Sequence, residues 1–167
     1  MTGRALFTHV AENEARTVLK NLLLPWPLKS KLDLKQAIPR VTYTDPEIAS
    51  VGLSEGEAIA KYGERKVATY TVPFTEVDRA LTAGRTEGFV KIVTKKWSSR
   101  ILGATLVGPR AGEMLSEVTA AIHFCIPLRK LASLIHPYPT YSLAIRKAAD
   151  RWLTQTILPT LKKWTGE

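Results

Sequence analysis

The stretch from His136 to Leu143 carries the side chains best suited to chemistry, in the order His-Pro-Tyr-Pro-Thr-Tyr-Ser-Leu. It places an imidazole and a phenol around two prolines, directly before a helical pattern. Each proline fixes its own φ and biases the preceding residue away from helix, so a stiff, extended segment is predicted. Such a segment could hold the His136 or Tyr138 ring accurately for proton transfer, or it could simply begin a helix.

The other residues with metal-binding or nucleophilic side chains form no local motif. His9, His123 and His136 are far apart, and His123 lies in an amphipathic pattern where a structural or surface role is favoured. The one cysteine, Cys125, excludes an internal disulfide and a thiolate-cluster metal site, and we expect it to be a small buried hydrophobe. The sequence also lacks an acidic cluster, a phosphate-binding glycine loop and a nucleophile elbow, so no metal site is predicted.

Composition restricts the class of protein. With 167 residues, of which 45% are hydrophobic and 23% charged, the chain is long enough for one globular domain and short for two. The net charge of +9 would attract anions, but the basic residues are spread from Lys20 to Lys163 without a dense patch, so we expect no nucleic-acid partner. No apolar run is long enough to span a bilayer and no signal-peptide pattern is present. A cytoplasmic protein without a membrane partner is predicted.

The N-terminal part reads as one helix followed by a linker. Apolar residues recur at helical spacing from Leu6 to Leu24, with Thr8 as the expected N-cap. The helix is expected to end at Pro25-Trp26-Pro27, before a basic polar linker. A lone helix and a linker have nothing to pack on, so residues 1–37 are interpreted as the remnant of an upstream domain.

From Ile38 onward the pattern changes to strands and then to helices. Short strands are predicted at 40–43 and 67–72, a helix with a Ser54/Glu57 capping box at 54–62, a connection at 78–84, and an antiparallel hairpin from 88–94 and 101–107. Helices follow at about 112–125 and 128–134 and from Ser142 to Leu158, and Pro159 is expected to interrupt the last of them before a frayed tail. The fold class is therefore α+β: an antiparallel β-sheet covered on one face by helices, over residues 38–158, with a C-terminal tail at 159–167.

Several of these segments match one family in order. The run from Pro39 to Ser54, Pro-Arg-Val-Thr-Tyr-Thr-Asp-Pro-Glu-Ile-Ala-Ser-Val-Gly-Leu-Ser, resembles the opening of the C-terminal dimerisation domain of the FAD-dependent pyridine nucleotide-disulfide oxidoreductases. That family includes dihydrolipoamide dehydrogenase, glutathione reductase and mercuric reductase. Further matching segments follow in the family's order: Arg79-Ala80, Gly88 to Val93, Ile101 to Ala104, and Val107-Gly108.

The resemblance implies cofactors and partners. Phe7-Thr8-His9-Val10-Ala11 resembles the helix at the end of the family's FAD domain, whose N-terminus points at the flavin, so Thr8, His9 and Ala11 are the implied cofactor-binding residues. The parent protein would use FAD and NAD(P)H in upstream domains that also carry the redox-active cysteine pair. This segment alone is expected to bind neither cofactor and to be non-catalytic, and it would form a homodimer.

The resemblance also assigns roles in the proline-rich loop. Thiol-reducing members have His-Pro-Thr there with a glutamate three residues later, and aligning Pro139-Thr140 on that motif puts Tyr138 at the histidine position and Leu143 at the glutamate position. Mercuric reductases are more similar, since they carry a Pro-Tyr-x-Thr run. Tyr138 is thus the implied catalytic residue, presented by a Pro-Tyr-Pro-Thr loop to the partner subunit's flavin site. His136, two residues before Tyr138, is a second and less favoured candidate.

A second hypothesis stays open. The usual His-Glu dyad is missing from the loop, and the C-terminal cysteine pair of mercuric reductases is missing as well. The chain could therefore be a stand-alone, non-catalytic dimeric scaffold or binding module.

Overall fold

The computed structural model of the chain describes residues 6–30 and 37–165. These residues belong to two compact units, one ending at Ile38 and the other beginning at Pro39. The described residues of the first unit include helix α1 (Thr8–Leu23) and the turn after it, where the Asn21 side chain exchanges two hydrogen bonds with the Ser30 backbone at 2.7 and 2.8 Å.

The expected N-cap of α1 is wrong by one residue. Phe7 is the boundary residue, with φ −115° and ψ 143°, and no side chain caps this helix. The Phe7 carbonyl accepts hydrogen bonds from the N–H groups of Val10 and Ala11, so Thr8 already lies inside the first turn.

The second unit contains a five-stranded antiparallel sheet with the strand order β1-β2-β5-β4-β3. The strands are β1 (Arg40–Thr42), β2 (Glu47–Gly52), β3 (Val67–Pro73), β4 (Phe89–Lys95) and β5 (Ile101–Gly108). The β4–β5 hairpin that the alternating pattern predicts is confirmed, with Val90 opposite Leu106 and Ile92 opposite Ala104. The strand ends differ from the predicted ones by a residue.

Helices surround this sheet. They are α2 (Glu55–Tyr62), α3 (Asp78–Thr82), α4 (Ala111–His123), α5 (Leu128–Leu131), α6 (Leu143–Trp152) and α7 (Leu158–Thr165). Helix α4 packs on β2 and β5, and α6 packs on β3 and β4. Fully buried side chains of both layers form the core, among them Val72, Val90, Ile92, Leu106, Leu115, Val118, Ile145 and Ala148. The α+β class with an antiparallel sheet is confirmed.

A smaller apolar cluster lies on the other side of the sheet. Ala58 of α2 packs there against Val93 and Leu102, with Leu53, Tyr62 and Val67 around them. Val93 follows Ile92 in the same strand, and successive strand residues point to opposite faces. The second sheet face therefore also carries a helix, α2, whose predicted capping box is confirmed: Ser54 Oγ accepts from the Glu57 N–H, and the Ser54 N–H donates to the Glu57 carboxylate.

Two local expectations are wrong. The predicted connection at 78–84 is largely a short helix, α3. Cys125 is exposed rather than buried, because α4 ends at His123 and Cys125 adopts a left-handed φ of 56° in the turn beyond it.

The C-terminal segment also differs from expectation, because Pro159 does not end the helical chain. A widened π turn covers Leu153–Ile157, and helix continues through Thr165. Proline lacks the N–H that would donate to a carbonyl one turn earlier, and its ring crowds that carbonyl. A π turn directly before the proline gives the backbone a different spacing there, so the chain stays helical. Among the described residues, no helix is long and apolar enough to cross a membrane.

Candidate functional site

The proline-rich loop, residues 136–142, connects the region after α5 to α6. Its C-terminal end is anchored in the core: the buried Tyr141 ring lies 5.4 Å from the Phe74 ring, centroid to centroid, and Leu143 is buried at the start of α6. Within the loop, Thr140 Oγ1 donates to the Pro137 carbonyl at 2.8 Å. The loop is therefore fixed at its helix-proximal end by apolar packing.

Tyr138 points away from this anchor, with 71% of its surface exposed. A hydrogen bond to the carboxylate of Asp78, and the negative charge of that carboxylate, raise the pKa of the Tyr138 phenol. Ionising the phenol would place a second negative charge beside the first. The exposed phenol is therefore held in its neutral, hydrogen-bonding form.

His136 lies on the inner side of the same loop. Only 3% of its side chain is exposed, and its Nε2 lies 3.0 Å from Oε1 of Glu117 on α4. Its Nδ1 lies 3.1 Å from the Leu134 carbonyl oxygen. The two predicted catalytic residues thus face different elements: His136 contacts α4, whereas Tyr138 contacts Asp78 at the start of α3.

Helix α4 places Glu117 beneath the loop. The N–H of Gly112 in its first turn donates to the Glu47 carboxylate at the start of β2, at 2.9 Å. Its apolar stripe, Met114, Leu115, Val118 and Ala121, is buried against the sheet. The helix is thereby fixed at its N-terminus and along one face, which leaves the largely buried Glu117 carboxylate available to His136.

A groove of about 360 Å³ runs beside the loop. It is lined by Arg79 of α3, by Arg110, Glu113 and Met114 at the start of α4, and by Pro139 to Ser142 of the loop. Neither arginine forms an ion pair within the part of the chain that the structure describes. The groove is lined by both polar and apolar groups. Among the described residues, no group of three histidine, cysteine or acidic side chains could hold a metal ion.

Exposed apolar side chains cluster in sequence on the two segments that flank α5, which we call the α5 flanks: Phe124, Ile126, Leu134, Ile135 and Tyr138. Ile135, with 94% of its surface exposed, is the most accessible of them. A contiguous exposed apolar surface is typical of a site that another protein covers.

Sequence reasoning missed the two carboxylates that contact the loop, Asp78 and Glu117. Both lie far from it in sequence, on separate helices, and neither belongs to a recognisable short motif. Only the register of the folded elements brings them to His136 and Tyr138.

The implied flavin-facing residues lie in the first unit. Thr8 and His9 begin α1, the rings of His9 and Phe7 stack at 5.2 Å, and the Ala11 N–H donates to the Phe7 carbonyl. The first turn contains no acidic residue and no side-chain cap. The positive end of a helix dipole is therefore not neutralised by the first turn itself, which suits an electron-rich group of a cofactor.

The sequence matches a known protein family over most of the second unit. The family described as pyridine nucleotide-disulphide oxidoreductase, dimerisation domain, matches residues 38–149. A dihydrolipoyl dehydrogenase of Haloarcula marismortui is 46% identical over 115 residues, which are 69% of this chain and 24% of that protein. The dihydrolipoyl dehydrogenase of Bacillus subtilis is 36% identical over 149 residues, covering 88% of this chain and 30% of its own length.

Solved structures give the same result. The crystal structure of LpdA from Mycobacterium tuberculosis superposes with a TM-score of 0.78 at 27% identity, over 90% of this chain and 32% of that one. A flavoprotein disulfide reductase from Escherichia coli, RclA in its Cu(II) complex, superposes with a TM-score of 0.81 at 24% identity, which shows the fold alone. The chain spans about a quarter to a third of the length of these proteins. It belongs to the pyridine nucleotide-disulfide oxidoreductase family, as that family's dimerisation domain.

Proposed function

We propose that this chain forms the two-fold interface of a flavoprotein NAD(P)H oxidoreductase and presents the Pro-Tyr-Pro-Thr loop to the partner subunit's flavin site. The observation that carries the proposal is the exposure of the α5 flanks beside a loop that is anchored internally and holds Tyr138 outward. The match to a dimerisation domain over residues 38–149 supports association of this domain with a second copy.

The energetics of burial favour such an interface. Covering a fully exposed isoleucine or phenylalanine side chain contributes about 1.5–3 kcal/mol, and Ile135 and Phe124 would each be covered twice in a two-fold dimer. Part of this free energy offsets the entropy lost on association. An isologous contact centred on the α5 flanks therefore supplies a driving force for dimerisation.

The parent protein would bind FAD and NAD(P)H through its upstream domains. FAD would supply electron transfer between the nicotinamide and the substrate. Thr8, His9 and Ala11 are proposed to place the N-terminus of α1 toward the flavin, supported by a first turn without acidic residues. The proposal includes a cytoplasmic location, supported by a sequence with one cysteine and no disulfide pattern.

The finer proposal is a mercuric-reductase-like reaction, and Tyr138 carries it. In the alignment that the resemblance implies, its phenol stands at the position of the histidine that acts as acid/base in thiol-reducing members, and a hydrogen bond to Asp78 raises the pKa of the phenol further. A neutral phenol can donate a hydrogen bond or direct a metal ion with its oxygen, but it is a poor base near neutral pH. The buried, apolar Leu143 cannot orient an acid/base group as a carboxylate would.

Sedimentation velocity of the chain over a range of concentrations tests the interface. The wild type should sediment as a dimer, and Ile135→Asp should raise the dimer dissociation constant at least about tenfold, because two carboxylates would be buried at the contact. Trp97→Asp, which changes an exposed aromatic on the β4–β5 turn, is the matched control and should leave association unchanged. A wild type that stays monomeric at the highest concentration would rule the proposal out.

The role of Tyr138 is tested in the assembled reductase. Tyr138→Phe should slow NAD(P)H-driven reduction of Hg(II) and leave disulfide reduction nearly unchanged, since only the phenol oxygen is removed. The double variant Tyr138→His/Leu143→Glu should raise disulfide reduction by restoring the dyad. Identical rates for wild type and Tyr138→Phe on both substrates would mean that the phenol only packs.

A further inference from the structure

We infer that His136 and Glu117 form a positioning pair that holds the N-terminal end of the Tyr138 loop against α4. The inference rests on the proposed function, because the position of the loop matters to a partner only if Tyr138 is presented across the interface. It assigns to His136 a role other than acid/base chemistry.

The burial of the pair and its hydrogen-bond distance are those of a structural contact. The imidazole is almost fully buried, the Glu117 carboxylate is three-quarters buried, and Nε2 and Oε1 are 3.0 Å apart. The second ring nitrogen lies 3.1 Å from the Leu134 carbonyl oxygen. A carbonyl and a carboxylate oxygen can only accept, so a neutral ring, which carries one N–H, donates to one of them, and a doubly protonated ring donates to both. Each nitrogen faces a protein oxygen in either case, and neither is turned toward a substrate.

The two ends of the loop are held by different means. At the helix-proximal end, Tyr141 packs on Phe74 in the core. At the other end, the contact between His136 and Glu117 is the one side-chain hydrogen bond to α4 among the described residues of the loop. The four residues between these anchors, 137–140, contain both prolines, so the segment is short and stiff. Removing the His136 anchor frees one end of a stiff segment, which moves Tyr138 as a unit.

The element that supplies the carboxylate differs from that in the His-Pro-Thr arrangement. In the His-Pro-Thr arrangement the orienting carboxylate follows the loop on α6, whereas here that position is buried and apolar. The carboxylate that holds an imidazole of this loop comes instead from α4, and the imidazole it holds is the buried one. Glu117 thus orients the His136 ring at the start of the loop, whereas the family's glutamate would act at its end.

Tyr138 itself reports the position of the loop. Its pKa is raised by Asp78 on α3, an element separate from the His136 anchor. A loop released from α4 takes the phenol away from Asp78, and the pKa of Tyr138 then falls toward its ordinary value. A variant that lowers the stability of the fold without displacing the loop would leave the pKa of Tyr138 unchanged.

The experiment follows the Tyr138 ring by NMR in the full chain with ¹³C-labelled tyrosine, the signal being assigned with Tyr138→Phe. In His136→Leu and Glu117→Leu the titration midpoint of Tyr138 should shift downward, toward the value in Asp78→Asn. His136→Gln, whose amide can still donate to Glu117, should recover part of the shift. The matched control is His123→Leu, an exposed histidine at the end of α4, which should leave the midpoint unchanged.

An unchanged Tyr138 midpoint in both leucine variants, with lowered melting temperature only, would overturn the inference. If either leucine variant fails to fold, Glu117→Gln keeps the size and the acceptor and removes the charge, and should give a smaller shift in the same direction. Sedimentation of the same samples separates the two proposals. A monomeric chain whose Tyr138 responds would overturn the proposed function alone, whereas a dimer whose Tyr138 does not respond would overturn this inference alone.

Discussion

The two ring side chains of the loop, His136 and Tyr138, lie in different environments and have different roles. The His136 imidazole is buried and faces a protein oxygen at each nitrogen, while the Tyr138 phenol is exposed. In a fully extended segment residues 136 and 138 would point to the same face, so their different directions require a departure from extended backbone between them. The prolines at 137 and 139 supply that irregular backbone.

The first prediction concerns the phenol. Asp78→Asn should lower the pKa of Tyr138, because the neutral amide no longer repels the phenolate. The sign follows from the charge: with Asp78 present the protonated phenol persists to higher pH, and without it ionisation begins earlier. Ultraviolet difference titration at 295 nm, compared with a Tyr138→Phe background, measures the change.

Asp150→Asn is the matched control for that titration. Asp150 is an exposed carboxylate that pairs with Arg146 on α6, and its removal should not affect Tyr138. An equal shift of the Tyr138 pKa in Asp78→Asn and Asp150→Asn would show that net charge, and not contact with Asp78, causes the shift.

At the scale of elements, the pairing of β2 with β5 depends on glycine at its end. Gly52 pairs with Gly103, and a Cβ at Gly103 would come within 2.1 Å of the Leu53 carbonyl oxygen. Gly103→Ala should therefore destabilise the chain by about 1–3 kcal/mol or more, since backbone has to move. Urea unfolding measures it, with Gly56→Ala in α2 as the control.

Gly56→Ala should act in the opposite direction. A Cβ there meets no atom within 4 Å, and alanine reduces the entropy of the unfolded chain, so a gain of about 0.5–1 kcal/mol is expected. If both alanine variants were equally destabilised, the close approach at Gly103 would not be the cause.

The capping box of α2 gives the third prediction. Ser54→Ala should cost about 1 kcal/mol, because the N–H of Glu57 loses its acceptor, whereas Ser116→Ala on the exposed side of α4 should cost little. The bonds from Ser54 lower the pKa of Glu57. That contribution is complete above the unfolded pKa and is lost as pH falls through the lower folded pKa. The difference between wild type and Ser54→Ala should therefore shrink in acid, and a pH-independent difference would contradict it.

Local rules predicted the elements that depend on neighbours in sequence. The Ser54 capping box and the β4–β5 hairpin could be predicted because their determinants lie within a few residues of each other. Cys125 was placed wrongly, because the apolar spacing continues past the point where the chain turns with a positive φ. The contacts of Asp78 and Glu117 with the loop could not be predicted, since they depend on how α3 and α4 are packed.

At the scale of the whole molecule, the second unit is a complete core that leaves apolar side chains uncovered on the α5 flanks. The sheet, α4 and α6 bury their shared core, yet Ile135 and Phe124 remain accessible. Because the described residues of the second unit leave these side chains uncovered, we propose that a second copy covers them.

Site-specific photo-crosslinking at residue 135 tests that claim most directly. The chain carrying p-benzoylphenylalanine in place of Ile135 is mixed with ¹⁵N-labelled chain of the same kind and irradiated. The account predicts products of twice the 18.5 kDa chain mass, with mixed-isotope crosslinks to the α5 flanks or the loop of the other copy. Irradiation that yields only single-chain products, or crosslinks to a surface remote from α4, α5 and the loop, would contradict it.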